Sequence, residues 1–283
     1  MSGNQGNHIV KQLIYFYSIT AFSYATILLN NPFRYKLESI SNSHGIDHKL
    51  ATEYVSFGGD IKNGTFSELF YSFCTEHLLS KIDINNIFDV YLNKIESLKN
   101  FQNNRFTISL YTIFTMIPEM QSVLMAEKNR IFPLSINYGI HAAVPFYKFR
   151  LGDGNQTISQ ESIENSFRAC EHRIEGGQHI VTIPLDKIRD IQATIYTDIY
   201  GKMWYIDSPF TEIQLPEMCL HFMAIFALSN IMRYQPEIWG AILSNEYETQ
   251  ISTLIRYYLT LFEQKLPFLI MRSTSNFYPV VTQ

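Results

Sequence analysis

Residues 221–240 read HFMAIFALSNIMRYQPEIWG, and the fold turns on them. Leu220, Phe222, Met223, Ile225, Phe226, Leu228, Ile231 and Met232 fall on nearly every side of a 3.6-residue helix, and a helix that is apolar all round belongs in the middle of a core. His221 then reads as a core histidine satisfied by a neighbour. The end of the run is charged: Arg233 suits the negative C-terminus of the helix, and Pro236 stops it. Two readings of this end follow. In one, Arg233 caps the helix and pairs with Glu237 beneath Trp239. In the other, Arg233 and Glu237 face a ligand, with Arg233 holding a phosphate or carboxylate in two-pronged contact while Tyr234 or Trp239 stacks on a ring.

Outward from this helix, Pro216 and Glu217 suit its N-terminus. Downstream, Asn245 and Glu248 have capping-box spacing before a last long helix over residues 246–264. Upstream, residues 191–207 alternate apolar and polar side chains around Tyr200-Gly201-Lys202, the pattern of a β-hairpin. Residues 179–185 form a third strand and residues 150–160 a polar loop. Residues 67–79 and 84–101 show apolar positions at helical steps. Residues 106–116 form another apolar run punctuated by Pro118, and residues 53–57 a short strand. Residues 12–33 carry no charge and are long enough to raise a membrane span, but Gln12, Ser18, Thr20, Ser23 and Thr26 and the lack of basic flanks point to a buried helix instead.

The expected fold is mainly α, a helical-bundle core with a small antiparallel β insertion, an α+β class. Its parts are an N-terminal helical part (1–130), a mixed segment with the hairpin (131–212), and C-terminal helices (213–283) packing on the first part as one interlocked unit.

The chain has 283 residues, 46% of them hydrophobic and 17% charged, enough to bury a large core. The 22 basic and 26 acidic residues give a net charge of −4 with no basic run, which disfavours a broad nucleic-acid footprint. The three cysteines, Cys74, Cys170 and Cys219, are widely spaced and fit neither a disulfide framework nor a zinc module, so a cytoplasmic location is expected. The glycines at 58–64 and 152–154 fit no phosphate loop or dinucleotide fingerprint, no Gly-x-Ser-x-Gly elbow is present, and no cofactor or metal is indicated.

Several stretches, taken together and in order, resemble the YaaC-like family of bacterial proteins: YFYSITAFSYATILL (15–29 with its flank), HGI (44–46), GTFSELF (64–70), TISLYTIFTMIPEM (107–120) and the closing HFMAIFALSNIMRYQPEIWG. The resemblance implies a mostly helical protein. By analogy, a tyrosine-rich helix followed by a His-Gly loop is similar to HEPN domains, which occur in RNases, nucleotide-handling proteins and phage-defence systems. Fold does not carry function with it.

An RNase of that type needs Arg and His a few residues apart near a helix end. Arg173 and His179 have the spacing, but Gly176-Gly177 between them breaks the helix that the motif requires. Cys170, His172 and His179 match no metal-ligand spacing and read as loop and turn. His44, Asp47 and His48 bring three titratable groups into one polar turn region, either as surface polarity or as a His-Asp pair lining a cleft. The candidate catalytic groups are therefore His44, His48 and Arg233, and the candidate ligand-binding groups Arg233, Tyr234, Glu237 and Trp239. The leading expectation is a binding protein with a protein partner or a second copy of itself, away from the membrane, as a partner-dependent component of a bacterial stress or phage-defence pathway. The alternative is a HEPN-like enzyme acting on RNA or a nucleotide. A basic cleft joining Arg233 with His44 or His48 favours the enzyme, and a broad exposed apolar patch favours the partner.

Overall fold

The computed structural model describes residues 5–30, 36–49, 53–75, 98–124, 130–141, 144–152, 158–167, 170–184, 195–244, 246 and 249–274. The all-apolar run forms α5, Glu217–Tyr234, in which every residue from Glu217 to Asn230 is buried. It starts directly after Pro216 and ends at Gln235, and Pro236 opens the next helix, α6 (Pro236–Ser244). A proline with no N–H to donate ends one helix and suits the first turn of another, so one residue does both.

Around α5 pack α1 (Gln5–Asn30), α2 (Thr65–Thr75) and α7 (Thr249–Thr274), of which α7 passes its expected end and carries Pro267 inside it. In α1 the hydroxyls of Thr20, Ser23 and Thr26 bond back to the carbonyls of Phe16, Ile19 and Phe22 at 2.7, 2.7 and 2.9 Å. Hydroxyls satisfied four residues back can be buried in an uncharged helix. The stretch Lys11–Asn30 is long and apolar enough to cross a membrane by length and composition, yet Phe16, Ile19 and Ile27 sit in the protein core. The proposed capping box at Asn245 and Glu248 and most of the expected helix over 84–101 lie outside the described residues, the latter being helical over 98–103.

Strands β1 (Ile46–His48), β2 (Tyr54–Gly58) and β3 (Arg105–Ser109) form a three-stranded antiparallel sheet against α2 and α5. β3 runs straight into α3 (Leu110–Thr115), whose N-cap Ser109 accepts a bond from Thr112 N at 3.0 Å. A second, six-stranded antiparallel sheet has the order β6-β7-β5-β4-β9-β8. Its strands are β4 (Ile131–His141), β5 (Val144–Leu151), β6 (Glu171–Glu175), β7 (Gln178–Pro184), β8 (Ile195–Thr197) and β9 (Met203–Ile206). One face, including Phe132, Leu134, Phe149, Leu151, Val181 and Tyr205, closes a core of its own with Ile163 and Phe167 at α4 (Gln160–Ser166). At the β4-β9-β8 end the other face puts Ile131, Tyr196, Trp204 and Ile206 into the helical core.

This arrangement corrects the expected helical bundle with a small β insertion. The molecule is an α+β mix of a helical layer and two sheets: the expected short strand near 53–57 pairs with two others, and the expected hairpin and third strand belong to a sheet of six. The missed strands have physical causes. In β4, Phe132, Leu134, Ile136 and Tyr138 alternate toward one face, but Pro133 among them and Gly139 after them are poor strand residues. Pro133 is tolerated because β4 changes partner there, pairing with β9 up to Pro133 and with β5 from Leu134. β3 was hidden inside an apolar run whose second half is helical.

Candidate functional site

Arg233 lies half-buried in the last turn of α5. Its Nε donates to Ser229 O at 3.3 Å and its Nη2 to Asn230 Oδ1 at 2.6 Å. The guanidinium carbon stands 5.6 Å from the Phe16 ring centre and 5.2 Å from that of Tyr234. The cation thus caps its own helix and rests between two aromatic faces. Among the described residues no ion pair joins Arg233 to Glu237, because the chain turns at Gln235 and Glu237 falls in the first turn of α6, exposed. Trp239 is buried in the core at 2% exposure, its indole nitrogen without a hydrogen-bond partner, so its ring does not face a ligand. Tyr234 is 61% exposed. The four expected ligand-binding groups therefore divide, with only Arg233 and Tyr234 in contact.

The structure joins His44 to this pair. The His44 ring meets Phe16 edge-on at 5.1 Å and Phe226 at 5.4 Å. Burial lowers its pKa, and the positive charge of Arg233 lowers it further. A neutral imidazole beside a guanidinium is an acceptor or base in character. His48 is elsewhere, buried in β1 opposite Val55, and Asp47 turns away to pair with Arg105 at 3.1 Å. Among the described residues no ion pair joins Asp47 to His44 or His48, the arrangement that the second of the two readings required.

The other sequence motifs resolve onto β6 and β7, a hairpin closed by Gly176 and Gly177, both at positive φ (57° and 79°) as a two-residue turn requires. Arg173 pairs in register with Ile180, and Ile174 with His179, so the side chains of Arg173 and His179 leave opposite faces of the sheet and cannot act on one bond. Instead His172 Nε2 and His179 Nδ1 share a hydrogen bond of 2.9 Å. Among the described residues no cluster of His, Cys, Asp and Glu fits a metal ion.

One group of charges escaped sequence reasoning. Lys265 of α7 is fully buried, and its Nζ reaches Glu119 Oε1 (2.7 Å), Glu217 Oε1 (2.7 Å) and Thr197 O (2.6 Å). Arg272 reaches Glu217 Oε2 at 3.0 Å and Ile195 O at 2.5 Å. Glu119 Oε1 also accepts Ile199 N at 2.9 Å. Burial pushes the Glu119 carboxyl up despite the lysine. The two acids and two bases balance, tying α5, α7, the turn at Pro118–Ser122 and strand β8 together. Beside this knot a cleft of about 700 Å³ is lined by Glu119, Ser122, Asp198, Tyr200, Tyr257 and Gln264. Its carboxylates are engaged internally: Asp198 accepts from Tyr200 N, Lys202 N and Trp204 Nε1. The available signal was a lysine and a glutamate inside otherwise apolar helical stretches.

A helical layer built on a helix buried from Glu217 to Asn230 and backed by two antiparallel sheets, with Arg233 donating to its own helix, defines an α+β protein. The family model described as YaaC-like Protein matches residues 2–274, and the chain belongs to the YaaC-like family. No curated protein and no solved structure matches it.

Proposed function

We propose that the protein works by binding another macromolecule, as a partner-dependent component of a bacterial stress or phage-defence pathway, and that the outer face of α1 is the surface that binds. One observation carries this reading. Ile14, Tyr17, Ala21, Ala25 and Leu29 are exposed along a single side of α1, and the large three expose 57, 61 and 58% of their surface. No charge interrupts α1 between Lys11 and Asn30, and Lys11 is held by Glu263. Isolated surface apolar residues need no explanation, but a continuous uncharged helix face marks an interaction site. The alternative, an enzyme acting on RNA or a nucleotide through Arg233 and His44, draws support from their proximity. Against it, two of the five N–H donors of Arg233, on Nε and Nη2, already serve Ser229 and Asn230.

The test is a cell-based stress or phage-plating assay with variants whose folding is verified by melting. Tyr17→Glu and Ala25→Arg are expected to lose the phenotype with melting temperature retained, while Arg233→Lys keeps it, since a lysine can still cap the helix. The reverse pattern transfers the function to the Arg233 site.

A further inference from the structure

We propose that the outer face of α1 pairs with the same face of a second copy of this chain, antiparallel, about a twofold axis beside Ala21. The proposal rests on the docking reading above and names its occupant. Ile14 to Leu29 spans about 22 Å of helix at 1.5 Å per residue. Its exposed positions run large, large, small, small, large: Ile14, Tyr17, Ala21, Ala25, Leu29. Reversing this pattern about residues 21–22 sets Ile14 against Leu29 of the second copy, Tyr17 over its Ala25, and Ala21 against Ala21. Large side chains meet small ones or fill the ends, and the alanines allow the two helices to approach at the axis. An isologous contact of this kind closes after two copies.

Charge and area point the same way. With no charge on the face beyond Lys11, nothing selects a partner of complementary charge, and the size pattern is the remaining specificity, one that the chain itself satisfies. The exposed face offers about 500 Å² per copy, roughly 1,000 Å² for the pair, at the lower limit for a specific interface, so the dimer is reversible and concentration-dependent. A lipid surface is the poorer occupant. A helix lying in the membrane interface carries Lys and Arg along its polar flank, whereas the opposite flank of α1 delivers Phe16, Ile19 and Ile27 to the protein core.

The experiment is sedimentation equilibrium of the purified full chain from about 1 to 100 μM, the range in which so small an interface dissociates, combined with cysteine cross-linking. Mass is expected to rise toward twice the monomer, and Ala21→Arg, which sets two cations together at the axis, to weaken association at least tenfold. Under mild oxidation Ala21→Cys should cross-link to itself. Ile14→Cys alone should not exceed the parent chain with its native cysteines, and a mixture of Ile14→Cys with Leu29→Cys should. A monomer throughout the range, self-cross-linking of Ile14→Cys as in a parallel pair, or α1-dependent capture by anionic phospholipid vesicles without dimerisation each overturns the proposal. A monomer whose Tyr17→Glu variant still loses the cellular phenotype refutes self-pairing alone and leaves the docking reading intact. A dimer whose disruption leaves the phenotype unchanged does the opposite.

Discussion

Replacing Lys265 by Met tests the buried ionic knot. Methionine keeps most of the apolar stem and removes only the ammonium, so the change isolates the charge. In the native protein that ammonium, itself 0% exposed, serves two carboxylates whose side chains are 4% and 6% exposed. Without it Glu217 keeps Arg272, but Glu119 is left with backbone donors, among them the N–H of Ile199. Breaking a buried pair by removing one partner costs about 3–5 kcal/mol because the other charge is left uncompensated. At roughly 2–4 °C per kcal/mol for a chain of this size, melting should fall by about 10 °C. The pH dependence has a definite sign. Burial already raises the Glu119 pKa, and loss of the lysine raises it further. An acid whose folded pKa lies above its unfolded one binds the extra proton in the folded state, so stability falls as pH rises through that window. The deficit of Lys265→Met is therefore largest at neutral pH and shrinks on acidification toward the ordinary carboxyl range, and adding Glu119→Gln recovers much of it. Urea denaturation of the three proteins at several pH values measures this. A loss under about 1 kcal/mol, or one independent of pH, refutes the reasoning, since a water-exposed pair behaves that way.

His221 is wholly buried, and desolvation followed by the Lys265 charge holds its pKa far below the usual imidazole value. The unfolded chain therefore takes up a proton below about pH 6.5 that the folded one refuses, and native stability should drop by up to about 1.4 kcal/mol per pH unit below that point. His221→Phe flattens this acid limb in pH-dependent denaturation, at the cost of an unpaired Tyr258 hydroxyl, which now meets Nδ1 at 3.0 Å. Gly64→Ala should unfold the turn that joins α2 to the strand preceding it: φ is 144° there, and a Cβ would lie 2.2 Å from Gly45 N. A loss of several kcal/mol is expected by thermal melting, and a melting point within a degree or two of wild type contradicts that close approach. Arg233→Ala should cost about 1–2 kcal/mol through the lost cap and the Asn230 contact, and Arg233→Lys less, by the same measurement.

How much of this was legible beforehand depended on the range of the interactions. The all-round apolar pattern of Leu220–Met232 placed α5 in the core, and period-two alternation located β8 and β9 around Gly201, because helical and strand periodicities are local properties. The six-stranded sheet was not legible in full. Its β4 and β5 carry prolines whose missing donors matter only in relation to the neighbouring strand, and that neighbour is set by tertiary structure. At the site, Arg233 as a helix cap was readable from its place before Pro236, but its stacking on Phe16 and its charge effect on His44 link residues about 200 positions apart with no local signal. The pairing of Lys265 with Glu119 is of the same kind, whereas the opposition of Arg173 and His179 across the hairpin follows from the Gly176-Gly177 turn already visible in the sequence.

The central claim is that a macromolecule covers the outer face of α1 when the protein is at work. Ala21→Cys, on that exposed face, allows the claim to be measured by maleimide labelling corrected for the parent chain's own cysteines. The purified protein diluted well below micromolar is compared with the soluble fraction of cells expressing it. Fast labelling in the dilute protein and at least tenfold slower labelling in the cellular fraction, restored by Tyr17→Glu in the same chain, is the predicted result; equal rates in both would contradict it.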